Sequence, residues 1–129
     1  MLSQYGRSWK LTDFDSAIQL APGEKSIIRS ERFGTEGFTA PETISNGEYS
    51  FDSDWYSFGK TAQYILKQIE YNYMQDHEAG YKLSSLLGVL QLFADSMCHP
   101  VPHKRPLSSD SIANIRGLLA NCDTNSFDS

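Results

Sequence analysis

Hydrophobic and polar positions divide the chain into an irregular first third and a helical remainder. Over residues 54–70, "DWYSFGKTAQYILKQIE", the apolar positions Trp55, Phe58, Ala62, Ile65, Leu66 and Ile69 recur at helical spacing. They cover more than half of the circumference, the pattern of a helix buried on several sides. Leu83, Leu86, Leu87, Leu90, Phe93, Ala94 and Met97 form a cleaner stripe, so a second helix is predicted there. It ends at "HPVPHKRP", where Pro100, Pro102 and Pro106 cannot continue a helix. A third helix is expected after the prolines, capped by Ser108 or Ser109 with Asp110 in its first turn, and turning Ile112, Ile115, Leu118 and Leu119 inward. The tail "NCDTNSFDS", 121–129, is polar and reads as frayed and flexible.

The start of the chain has a different period. Trp9, Leu11 and Phe14 fall on one side of a short strand after the turn-forming "QYGRS", which predicts a small β-hairpin at the start. From Ser16 to Pro41 neither period persists, and Pro22, Gly23, Gly34 and Gly37 punctuate a loop of a length that compact domains reserve mainly for function. The fold class expected is mainly α with that small hairpin.

Composition narrows the function. A chain of 129 residues with 40% hydrophobic content fits one domain with its own core. A net charge of −5 argues against non-specific binding to nucleic acid, which needs clustered Lys and Arg. It favours a soluble cytoplasmic or nuclear protein. The opening "MLSQYGRSWK" lacks the apolar run of a secretory signal, and "LLGVLQLFA", 86–94, is too short to cross a bilayer, so no membrane partner is expected. Cys98 and Cys122 read as reduced thiols. Cys98, His99 and His103 lie close enough to raise zinc, but a structural site takes four ligands and no second cluster stands elsewhere; His77 adds nothing.

Four short motifs carry the chemistry: "KLTDFDSA" at 10–17, "GTEGFTAPE" at 34–42, "SDWYSFGKT" at 53–61 and "CHPVPHKRP" at 98–106. Each alone is weak. In this order and spacing they resemble successive stretches of the large lobe of protein kinases, over nearly the whole chain from about Leu2 to Leu119. The resemblance implies a partial kinase domain over 1–120: a hairpin and DFG-like corner at 1–15, an activation segment at 16–42 and a helical C-lobe at 43–120.

By that resemblance, Asp13 matches the aspartate that holds magnesium against the nucleotide phosphates, and Phe14 the aromatic residue beside it whose packing differs between active and inactive states. Asp15 stands where the family has glycine. Glycine adopts positive φ freely and Asp at some cost, and a second carboxylate beside Asp13 either binds metal or repels phosphate. Thr35 matches a threonine typical of serine/threonine kinases, so the implied substrate is protein Ser/Thr. Ser26 and Ser30 are candidate phosphorylation sites with Lys25, Arg29 and Arg32 nearby; equally, they are ordinary solvated loop serines.

Glu42 and Arg105 match an ion pair tying the end of the activation segment to the loop before the last helix. Asp54 matches the aspartate heading the central helix, which in the family bonds the catalytic loop; the helix dipole alone would also favour a carboxylate there. Tyr56 and Gly59 fit variants of the same helix opening.

The glycine-rich loop, the strand lysine and the catalytic-loop Asp and Asn have no counterpart in these 129 residues. ATP and Mg2+ are therefore expected only in a complete kinase, and the chain alone is expected to be inactive. Met1 reads as a position inside a longer frame or as the start of a truncated product. The alternative is a pseudokinase-like module that docks on a protein partner without catalysis. Either way, Trp55, Phe58 and Ile65 on the central helix would be left open to self-association. An unrelated, mostly helical domain would require all four motifs to coincide by chance.

Overall fold

The computed structural model of the chain describes residues 10–73, 77–106 and 108–125. Their order is β1 (Ser26–Ile28), α1 (Pro41–Asn46), β2 (Glu48–Ser50), α2 (Phe51–Tyr73), α3 (His77–Met97), a 3-10 turn (Pro102–Lys104) and α4 (Ser108–Asn125). The fold is mainly helical with one small two-stranded antiparallel sheet, in which Ser26, Ile27 and Ile28 face Ser50, Tyr49 and Glu48.

That sheet is not at the chain's opening, where the hairpin was expected. Residues 10–14 carry no strand, and Trp9 with the rest of that hairpin lies outside the described residues. The side chains of His77, Leu83, Leu119 and Cys122 and the tail from 126 also lie outside them. The apolar and polar alternation around Leu11 is therefore no strand signal here: Leu11 is 84% exposed and Phe14 63%.

Local chemistry sets the element ends. Pro41 opens α1, where its missing N–H costs nothing, and Gly47 closes it at φ 69° with its N–H on the Thr43 carbonyl. The helix α2 begins at Phe51, one turn ahead of the apolar pattern, because Ser50 and Ser53 cap it reciprocally. The Ser53 N–H donates to Ser50 Oγ at 3.2 Å, and the Ser50 N–H to Ser53 Oγ at 2.8 Å.

Two helices, α2 and α3, form the main packing unit and run antiparallel. Gln63 Nε2 donates to Asp95 Oδ1 at 2.7 Å, and the Cys98 thiol approaches the Tyr56 carbonyl at 3.8 Å. They come closest at Gly59. A methyl group there would sit 2.7 Å from Met97 Cβ and 2.8 Å from Cys98 Sγ, so only glycine fits this crossing without displacement. Among the described residues the buried apolar side chains are Ala40, Leu66, Ala94 and Met97. This core is thin. Phe58 and Ile65 on α2 remain 53% and 47% exposed.

On α4 the inward register differs from the expected one. Ser111 is buried and Ile112 is 45% exposed, while Ile115 and Leu118 are half-buried. The helix also continues to Asn125, through part of the stretch expected to fray, because nothing in "NCDTN" forbids helical φ.

Candidate functional site

The most fully built group of side chains surrounds Arg105. This residue follows the 3-10 turn, where Pro102 and Pro106 fix the backbone, and its side chain enters the interior. Nη1 and Nη2 donate to Glu42 Oε1 and Oε2 at 2.7 and 2.9 Å, a parallel two-bond pairing in which the Arg side chain is wholly buried. Nε donates to the His99 carbonyl at 2.8 Å, and Nη1 also reaches the Asp52 carbonyl at 2.8 Å. The guanidinium lies 4.9 Å from the centre of the Tyr56 ring, and Lys60 Nζ lies 5.6 Å from the same centre. One side chain thus joins α1, the head of α2 and the turn after α3.

Beside this cluster, burial pushes the Cys98 thiol up; Lys60 and Arg105 pull it back while Asp95 adds to the rise. The indole N–H of Trp55 and the hydroxyl of Ser111 are buried without a hydrogen-bond partner, and Trp55 stacks on Phe58 at 5.4 Å with the rings 7° from parallel.

A cleft of about 560 Å3 opens on the other side of α1 and α2. Its walls are rich in hydroxyls, with Thr35, Thr39, Ser57 and Thr61 among them, and Asp54 is its carboxylate. Asp54 is open to solvent on one side, yet shielding by the cleft raises its carboxyl above the ordinary range. Thr35 lies on the rim, where its carbonyl receives the Phe38 N–H at 3.0 Å and the Thr39 hydroxyl at 2.9 Å. Asp54 also lines a neighbouring cleft with Asp13, Phe14 and Phe51.

Asp13 is exposed and takes φ 67°, a left-handed conformation that Asp tolerates better than most residues. Asp15, the residue standing in glycine's place, does not share it. Among the described residues no three His, Cys, Asp or Glu side chains gather as a metal-ligating group. His99 Nδ1 accepts the Val101 N–H at 3.0 Å, and His103 is exposed in the 3-10 turn.

Two side chains shape the loop before Thr35, of which Tyr49 is absent from the sequence-based site. Arg32 Nη1 donates to the carbonyls of Arg29 and Ser30 at 2.7 and 3.0 Å, and its Nε reaches the Ile44 carbonyl at 3.4 Å. The Tyr49 hydroxyl accepts the Phe33 N–H and faces the Glu31 and Phe33 carbonyls at 3.3 and 3.4 Å. Nothing in the sequence pattern marked Tyr49, because the three-residue strand that carries it has no alternation to read. Arg32 stood out as a phosphate partner; here it serves carbonyls.

The family profile "Protein kinase domain" matches residues 1–125, and the chain belongs to that family. Over 50 residues, 39% of this chain, it is 42% identical to G protein-coupled receptor kinase 2 of Drosophila melanogaster. It is also 42% identical over 50 residues to the probable serine/threonine-protein kinase PBL11 of Arabidopsis thaliana, and to receptor-like cytoplasmic kinase 176 of Oryza sativa subsp. japonica. These matches span 7%, 13% and 13% of the length of those relatives. Among the described residues no helix is long and apolar enough to cross a membrane.

Proposed function

We propose that residues 1–120 are the C-terminal-lobe portion of a serine/threonine protein kinase, with 16–42 as the activation segment and 121–129 as its tail. In the complete protein ATP and Mg2+ enter, Asp13 holds the metal, and the phosphoryl group passes to Ser or Thr of a protein substrate. The observation that carries this reading is the buried two-bond pair of Glu42 and Arg105, which fastens the end of the 16–42 segment to the turn before α4. Two Arabidopsis thaliana relatives are named probable serine/threonine-protein kinases, which supports the substrate class.

By themselves the 129 residues do not catalyse. Phosphoryl transfer depends on positioning and electrostatic stabilisation, and one exposed aspartate supplies neither a nucleotide roof nor a base. The test pairs the 129-residue chain with the longest natural product that contains it, each incubated with Mg-ATP and a generic Ser/Thr protein substrate. Transfer by the longer product alone is expected; transfer by neither overturns the kinase reading, and transfer by the short chain overturns its inactivity.

A specific observation also favours a protein-interaction role for the short chain. Phe58, Ile65, Leu90, Phe93, Met97 and Ile115 line an open, almost wholly apolar groove of about 250 Å3 formed by α2, α3 and α4.

A further inference from the structure

The geometry points to Tyr49 as the positioning residue of the Phe33–Thr35 rim, acting with Arg32 as a clasp that sets residues 29–33 without any phosphate. Its bearing on kinase function rests on the reading above; the clasp itself is a property of the fold.

The segment 29–33 has no regular structure to satisfy its backbone, because β1 ends at Ile28. Its polar groups must find other partners. The Arg29 N–H donates to the Gly47 carbonyl at 2.9 Å. Arg32 folds back on its own loop, taking the Arg29 and Ser30 carbonyls, and reaches across to Ile44 at the end of α1. Tyr49 completes the set from β2: its oxygen accepts the Phe33 N–H, and its one proton is aimed between two carbonyls of the same loop. The Phe33 ring lies tilted on the Tyr49 ring at 6.2 Å.

The clasp fits only one backbone at its centre. A Cβ on Gly47, which stands at φ 69°, would collide with the Arg29 carbonyl oxygen and with Arg32 Nη1. Phe33, Thr35 and Tyr49 all line the same cleft as Asp54, so the clasp determines where that rim stands.

Charge explains why the clasp needs no phosphate. The guanidinium within reach of Ser30 already has three carbonyl partners, so the loop is fastened in the unmodified chain.

The test is amide hydrogen exchange, residue by residue, on the 129-residue chain, with its freedom from phosphate checked by intact mass. In the wild type the Phe33 amide is expected to be protected. Tyr49→Phe, which keeps the ring and removes the acceptor, is expected to speed Phe33 exchange about tenfold while leaving Leu66 in α2 unchanged. Arg32→Lys, which cannot span three carbonyls, is expected to loosen Arg29 to Phe33 in the same way. An unprotected Phe33 in the wild type, or unchanged exchange in Tyr49→Phe, overturns the proposal. So does loss of protection at Leu66 as well, which would make Tyr49 a residue of global stability instead of a local clasp. No nucleotide or substrate is present, so failure of the phosphate-transfer test leaves this result standing, and the converse also holds.

Discussion

Glu42 and Arg105 are 63 residues apart in sequence and meet through two hydrogen bonds, 2.7 and 2.9 Å long, with both side chains almost wholly out of water. A buried pair of this kind tolerates no half measures. Removing one partner leaves the other charge unsolvated and unpaired.

Glu42→Ala is therefore expected to destabilise the chain by about 3–5 kcal/mol, and Glu42→Gln by less, because the amide oxygen still accepts from the guanidinium. Urea unfolding of the three proteins side by side checks it. An unchanged midpoint for Glu42→Ala would mean that the pair contributes nothing to the fold.

Gly59→Ala places a methyl group against Met97 Cβ, Cys98 Sγ and the Ala94 carbonyl, the last at 3.1 Å. The helices must separate there, at a cost of about 1–3 kcal/mol despite alanine's better helix propensity. Gly88, with open space around it, is the control: Gly88→Ala should stabilise the chain slightly.

Asp54 gives a pH test with a definite sign. Shielding raises its folded-state value above 3.8, so the folded chain holds this proton more tightly than the unfolded chain does. Its contribution to stability is complete below about pH 3.8 and is lost as pH rises through the higher folded value. Thermal melts across that window should show Asp54→Asn more stable than the wild type at neutral pH, with the difference vanishing at low pH.

The thiol of Cys98 is half-buried against α2, and burial raises its pKa. Since the thiolate is the nucleophile, iodoacetamide at pH 8 should modify it several-fold more slowly than it modifies a free cysteine. Gly59→Ala, which presses on the same sulfur, should accelerate the reaction.

The apolar groove formed by α2, α3 and α4 predicts association. Ile65→Asp, at a position 47% exposed, should reduce any concentration-dependent sedimentation of the 129-residue chain without lowering its melting temperature appreciably. A wild type that sediments as a monomer at all concentrations would remove the basis for self-association.

The helices were legible because period and punctuation agree: the α3 stripe ends at Met97 and the prolines follow. The Glu42–Arg105 contact was legible only through the family's motif order, since periodicity does not report a pairing across 63 residues. Three features were not legible, each for a local reason. The start of α2 was hidden because Ser50 and Ser53 signal it through hydrogen bonds, not hydrophobicity. The strand Ser26–Ile28 is too short for alternation to register, and its partner Glu48–Ser50 lies beyond an intervening helix. The left-handed turn fell on Asp13 and not Asp15 because the family's glycine marks a neighbour and does not fix this residue's φ.

The antiparallel pairing of α2 and α3 also predicts an order of assembly for the chain. Tyr56 meets Cys98 and Gln63 meets Asp95 across spans of 42 and 32 residues, whereas Arg105 must close 63 residues to reach Glu42. Helical hairpins gather local contacts quickly, and longer closures come later and cost more entropy. An ion pair made last would show in the kinetics: Glu42→Ala should speed unfolding while leaving the refolding rate close to that of the wild type.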